Sequence, residues 1–133
     1  MEFKDKVVVI TGGTEGIGKS CVIAFLEEGC SVAVCGRSQD KLEAFHKEFD
    51  GQPVLGVQAD VSKPEDMERF AAAVAEHFGG IDVWVNNAGI YPKGYLAEMP
   101  LDLWQKTFDI NVSGVLYGSR AAIPYMKKQG YGR

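Results

Sequence analysis

Lys6-Val7-Val8-Val9-Ile10-Thr11-Gly12-Gly13-Thr14-Glu15-Gly16-Ile17-Gly18 is the stretch whose reading decides the fold. A short β-branched run ends abruptly in glycines, and an amphipathic segment from Lys19 to Glu28 follows at once. The run reads as a strand buried on both faces, and the glycines mark the turn into a helix. Gly12, Gly16 and Gly18 follow the spacing G-x-x-x-G-x-G. Lacking Cβ atoms, they allow a tight turn and close backbone approach. The new helix points its free N–H groups and positive dipole end into that turn, which makes it a site for a phosphate or pyrophosphate. The spacing differs from the G-x-G-x-x-G of the dinucleotide fingerprint, so on its own it is equally a turn needed for strand–helix packing.

Outward from this stretch, strand and helix patterns alternate four times. Ile17, Cys21, Ala24 and Phe25 give the first helix a buried face, with Gly29 as its stop. Ser31–Cys35 is a second buried strand, and Gly36-Arg37-Ser38 is the turn after it, with Ser38 a helix N-cap. Leu42, Phe45 and Phe49 mark the inner face of the second helix. Val54–Ala59 is a third strand ending at Asp60, and Ser62-Lys63-Pro64-Glu65 has the form of a capping box. Met67, Phe70, Ala71, Val74 and Phe78 form the stripe of the third helix, which Gly79-Gly80 ends. Ile81–Val85 is the fourth strand and runs into Asn86-Asn87-Ala88-Gly89. Ile90–Pro100 reads as a loop. Leu101 to about Gln129 is helical in two pieces with a break near Asn111; the second is unusually apolar and is bent at Pro124. The alternation predicts one α/β domain over residues 1–133, with a parallel sheet and helices on both faces.

Composition fits a globular chain, at 46% hydrophobic and 24% charged residues. A net charge of −4 gives no footprint for nucleic acid, and no apolar run is long enough to span a bilayer. The first residues do not form a signal peptide. Cys21, Cys30 and Cys35 lack C-x-x-C spacing and read as small core residues in a reducing compartment, the cytoplasm. His46 and His77 each stand alone on a helix and read as surface residues, with no metal site implied.

Ligands of open α/β sheets sit beyond the carboxyl ends of the strands. Here those ends carry the glycine turn, then Gly36-Arg37-Ser38, then Asp60-Val61, then Asn86-Asn87-Ala88-Gly89. An NAD site calls for a carboxylate after the second strand. Arg37 stands there instead, and a guanidinium matches the 2′-phosphate of NADP. Glu15, on the glycine turn, opposes that phosphate if it points inward, and Arg37 is equally readable as a solvated loop cation.

These residues together resemble the short-chain dehydrogenase/reductase family over essentially the whole chain, which corresponds to about the first half of a typical member. Thr11–Gly18 matches its TGxxxGIG motif, Asp60 its adenine-contacting acid, Asn86–Gly89 its NNAG, and Asn111 the asparagine of its catalytic tetrad. The resemblance implies a Rossmann-type sheet of order 3-2-1-4 that stops before a fifth strand. It implies Gly12, Gly13, Thr14, Glu15, Gly16, Ile17 and Gly18 on the pyrophosphate side; the turn after the second strand adds Arg37 and Ser38 as cofactor-binding candidates on the residue chemistry alone. Asp60 and Val61 would hold the adenine, and Asn87, Ala88 and Gly89 would line the ribose and nicotinamide. Asn111 would position a water in a proton relay. The cofactor would be NADP in preference to NAD, and the parent reaction hydride transfer between nicotinamide and a small carbonyl or alcohol.

The family's serine and Tyr-x-x-x-Lys pair have no counterpart here. Tyr91, Tyr95, Tyr117 and Tyr125 are not followed four residues later by lysine. The chain therefore reads as a cofactor half-site without a general acid, inactive alone. The alternative is a small non-catalytic protein that binds a dinucleotide or associates with itself. Val83 and Val85 would lie on a bare edge strand beside the apolar last helix, and homo-oligomers through that helix and edge are expected.

Overall fold

The structure, a computed structural model, describes residues 2–133. Four parallel strands stand in the order β3-β2-β1-β4: β1 Val7–Thr11, β2 Ser31–Gly36, β3 Val54–Gln58 and β4 Val83–Val85. The helices are α1 Gly16–Glu27, α2 Gln39–Glu48, α3 Pro64–Phe78, α4 Leu101–Phe108 and α5 Gly114–Gln129. β1 is buried along its whole length and pairs Val8 with Val32 on one side and with Val83 on the other. Its side chains alternate between two cores, as the two-residue period of a strand demands. Val8 and Ile10 join Val22, Leu42 and Phe45 under α1 and α2. Val7 and Val9 join Met67, Phe70, Val74, Ala121 and Ala122 under α3 and α5. The Rossmann-type architecture expected from the sequence is thus the one observed.

Several local expectations change. The buried face of α1 is Gly18 and Val22, with Cys21, Phe25 and Leu26 half-buried; Ile17 is 78% exposed and Ala24 is also exposed. The glycine turn sets this rotation. Gly18 must face Gly12 and Asn87, which turns the helix by one residue from the face that hydrophobicity suggests. The capping box at Ser62 does not form. Ser62 donates its hydroxyl to Asp60 Oδ1 (2.6 Å), and Lys63 takes the N-cap position ahead of Pro64.

No break occurs at Asn111. A π-helical turn, Asp109–Ser113, joins α4 to α5 without interruption. The residues of α5 that face inward are the small ones, Gly114, Gly118, Ala121 and Ala122. Val112, Val115, Leu116 and Ile123 are exposed. Nor is β4 a bare apolar edge. Val83 is buried, and on the side away from β1 the Arg133 N–H donates to Asp82 O (3.0 Å) while its carbonyl accepts from Trp84 N–H (2.9 Å). His46 is exposed as expected, but its Nε2 accepts the outward N–H of Gly56 on edge strand β3 (3.0 Å).

Candidate dinucleotide site

β1 ends at Thr11, and the chain turns through Gly12 (φ 66°) and enters α1 at Gly16 (φ 58°). Both need the left-handed region that other residues avoid. A Cβ on Gly16 would meet nothing within 4 Å, because that side of the turn opens into a cleft. Gly13 and Gly18 do different work. A Cβ on Gly13 would sit 2.3 Å from Val34 Cγ1, and one on Gly18 would sit 2.4 Å from Gly12 O. These two glycines lie behind the cleft and let the turn pack onto β2 and β4.

The two helices that begin at the cleft have opposite N-termini. The Ser38 side chain caps α2 by accepting from Lys41 N–H (3.3 Å). The N-cap residue of α1, Glu15, makes no side-chain cap, and no acid lies in the first turn. Among the described residues, the first N–H groups of α1 therefore have no intrahelical or side-chain partner, and the dipole adds positive potential at the same place. That donor set fits a pyrophosphate, and Gly16 leaves the room for one.

Thr11 opens the glycine motif in the sequence but is absent from the binding residues expected there. It is only 2% exposed, and its hydroxyl oxygen accepts from both Asn87 N–H and Ala88 N–H (3.0 Å each). The Asn87 amide returns the link, donating to Thr11 O (3.0 Å) and Gly12 O (3.2 Å). This clasp fixes the end of β4 against the glycine turn. The available signal was a polar residue closing an otherwise apolar buried strand.

The cleft, about 530 Å³, runs along the carboxyl ends of all four strands. Of the residues expected from sequence, Gly12, Thr14, Glu15, Gly16 and Ile17 line it from the turn, and Arg37 and Ser38 line it from the end of β2. Asp60 and Val61 line it beyond β3, and Asn87, Ala88 and Gly89 beyond β4. Gly13, Gly18 and Asn111 are not in its wall. Burial pushes the Asp60 carboxyl up, but hydrogen bonds from the Ser62 hydroxyl and N–H and the charges of Arg37 and Lys63 outweigh it, so its pKa is lowered. Asp60 N–H in turn donates to Asp66 Oδ2 (2.8 Å), which fixes the strand end to the start of α3. Cys35 lies at the floor, and burial pushes its thiol up to about 12, so it is inert at neutral pH.

Asn111 sits on the π-helical turn and holds the loop after β4. Its Oδ1 accepts from Ile90 N–H (2.8 Å) and its Nδ2 donates to Ile90 O (2.6 Å). A Cβ on Gly89 would lie 3.3 Å from the same Oδ1. Both ends of the amide thus pin one residue of the cleft wall. Lys41, also missed from sequence, lines the cleft and pairs with Glu15 (2.8 Å). Among the described residues there is no cluster of metal-ligating side chains and no helix long and apolar enough to cross a membrane.

Comparison with known proteins bears on the family and the fold. The pattern of the short chain dehydrogenase family matches residues 6–133. An uncharacterized oxidoreductase of Staphylococcus saprophyticus is 40% identical over 97% of this chain and 52% of its own length. One from Staphylococcus aureus is 34% identical over 96% of this chain and 55% of its own. The chain spans about half the length of the curated relatives it matches. Among solved structures, a short chain dehydrogenase/reductase from Burkholderia phymatum in complex with NAD superposes with a TM-score of 0.90 at 32% identity, covering 97% of this chain and 47% of that one. An actinorhodin polyketide ketoreductase variant with NADPH gives 0.92 at 34% identity, covering 97% and 51%.

Proposed function

The chain belongs to the short-chain dehydrogenase family of oxidoreductases, and on that premise we propose that it binds NADP(H) as the cofactor-binding part of an enzyme that moves hydride between nicotinamide and a small carbonyl or alcohol. The observation that carries the reading is the uncapped N-terminus of α1, which shares one cleft with Arg37 where an NAD site has a carboxylate. The dinucleotide supplies the hydride chemistry; the protein supplies position and charge. The free N–H groups at the start of α1, with Gly12 and Thr14, hold the pyrophosphate. Arg37 and Ser38 meet the 2′-phosphate. Asp60 and Val61 hold the adenine, and the Asn87–Gly89 segment holds the nicotinamide ribose. Asn111 fixes Ile90 and so the wall on the nicotinamide side, beside the water that the family resemblance implies.

No tyrosine in this sequence has the lysine partner that would tune it as a general acid. Residues 1–133 alone therefore bind the dinucleotide without reducing carbonyls. The exposed Trp104, Phe108, Val115 and Leu116 support homo-oligomers formed through α4 and α5 rather than through the edge of β4. Titration of the purified chain with NADPH and NADH, followed by nicotinamide fluorescence, tests the reading. NADPH is expected to bind about tenfold or more tightly than NADH, and Arg37→Ala to remove that difference. Absence of binding by either dinucleotide would overturn it. The non-catalytic alternative stands if NADPH binds and the longest natural product containing this chain still fails to reduce any carbonyl.

A further inference from the structure

Glu15 is an awkward residue at a phosphate site. It lines the cleft beside Arg37 and, as the N-cap residue of α1, sits next to the free N–H groups without capping them. Left alone, its carboxylate would repel a dianionic group entering there. Lys41, in the first turn of α2, reaches across with Nζ 2.8 Å from Glu15 Oε1 and lines the same cleft. The other basic residue that links α1 to α2 is committed elsewhere: Lys19 pairs with Glu48 at 2.8 Å. Lys41 is therefore the cation set against Glu15, and both side chains are more than half exposed at the mouth.

We propose that Lys41 is a positioning residue for dinucleotide choice. It acts through Glu15, neutralising that carboxylate so that the cleft admits a 2′-phosphorylated ribose. The inference deepens the NADP reading and rests on it for the identity of the phosphate. NADPH and NADH differ there by about two negative charges at neutral pH, as for other phosphomonoesters. Their affinity ratio therefore reports which charges the phosphate meets at close range. Arg37 meets it directly, whereas Lys41 acts by holding the Glu15 carboxylate in an ion pair, so that once Glu15 is uncharged Lys41 has little left to do. The cleft thus carries an internal brake on NADPH binding and the residue that releases it.

The test is a double-mutant cycle with Lys41→Met, Glu15→Gln and the pair, reading the dissociation constants of NADPH and NADH at about 0.15 M salt, which screens the exposed charge of Lys41 itself. Because the ion pair is exposed, neither change is expected to unfold the chain, and circular dichroism melting checks this. Lys41→Met is expected to lower the NADPH-to-NADH affinity ratio about tenfold, with NADH little changed. Glu15→Gln is expected to raise the ratio, and in its background Lys41→Met should matter by less than about twofold. Equal losses for both dinucleotides in Lys41→Met would overturn the proposal, as would an undiminished loss in the Glu15→Gln background, which would make Lys41 a direct phosphate ligand. A wild type that prefers NADH would sink the NADP reading alone. The Lys41 inference then survives if the ratio still moves through Glu15 and falls if it does not. A wild type that binds neither dinucleotide overturns both.

Discussion

The glycine turn and helix α5 each carry two glycines at which a side chain would collide with its surroundings, and the two regions use them to opposite ends. In the turn, Gly13 and Gly18 bring β1, β2 and the β4 loop together, and the polar groups so enclosed, Thr11 and Asn87, satisfy one another. In α5, Gly114 and Gly118 let the helix lie against Val61, Trp84 and Asn86. Because the small residues face inward, the large apolar ones face out, and Leu116 is 54% exposed. Close approach closes the first region on itself and leaves the second with an uncovered apolar face. The lesson concerns what each close approach leaves on its other side. At the turn it leaves the rim of a cleft, whereas on a helix the small residues take the inner face and the large apolar ones are left outside.

Five substitutions sharpen or break this comparison. The largest effect is expected at Gly18→Ala, where the new Cβ would meet the Gly12 carbonyl, a backbone atom that cannot move aside without opening the turn. Urea unfolding should show a loss of about 3 kcal/mol or more. Gly118→Ala meets the side chains of Asn86 and Trp84 and should lose less, about 1–2 kcal/mol. Equal losses would show that the two regions are equally rigid and remove the contrast.

Thr11→Val keeps the shape of the side chain and leaves the Ala88 N–H without its acceptor, while the Asn87 N–H keeps only Val85 O (3.0 Å). A loss of about 2 kcal/mol is expected, with weaker dinucleotide binding as the end of β4 loosens. A neutral result would mean that the clasp does not organise the cleft.

Asp60 gives a smaller effect that depends on pH. Its pKa is lowered in the fold, so its contribution to stability is complete above the unfolded carboxylate value of about 3.9 and fades as pH falls through the folded value. Wild type and Asp60→Asn should therefore converge in acid and diverge towards neutrality; a constant difference between them would refute the assignment. The smallest effect on stability is expected at Leu116→Lys, within about 0.5 kcal/mol. The same change should shift the sedimentation of the chain towards monomer if α5 joins copies of it, and an unchanged profile would count against that interface.

Much of this was legible in the chain because the signals were local. The β-branched runs of β1 and β2, the glycine turn and the stripe of α3 each announce themselves within a dozen residues. Ser38 caps α2 as its position implies, and Gly29 ends α1 with φ 82°. Where the reading failed, the deciding partner lay far away in sequence. Apolarity alone puts Ile17 and Ala24 inside, because it cannot report the rotation of α1, which Gly18 fixes against Asn87. The spacing at Ser62 fits a cap, yet Asp60 takes its hydroxyl. Asn111 suggested a helix break, and the chain accommodates it in a π-helical turn while its amide holds Ile90, 21 residues away.

By itself, then, the sequence determined the order of strands and helices, the parallel sheet and the motifs that follow each strand at its carboxyl rim. Those follow from periodicity, backbone freedom and the rule that ligands sit beyond strand ends. The tertiary structure alone decided how that rim is joined and charged: the Thr11–Asn87 clasp, the Asn111–Ile90 hold, the pairing of Lys41 with Glu15 and the outward turn of the large residues of α5. The reason is physical. Propensity and hydrophobic period act between neighbours along the chain, whereas hydrogen bonds, ion pairs and close packing are settled only when distant segments meet.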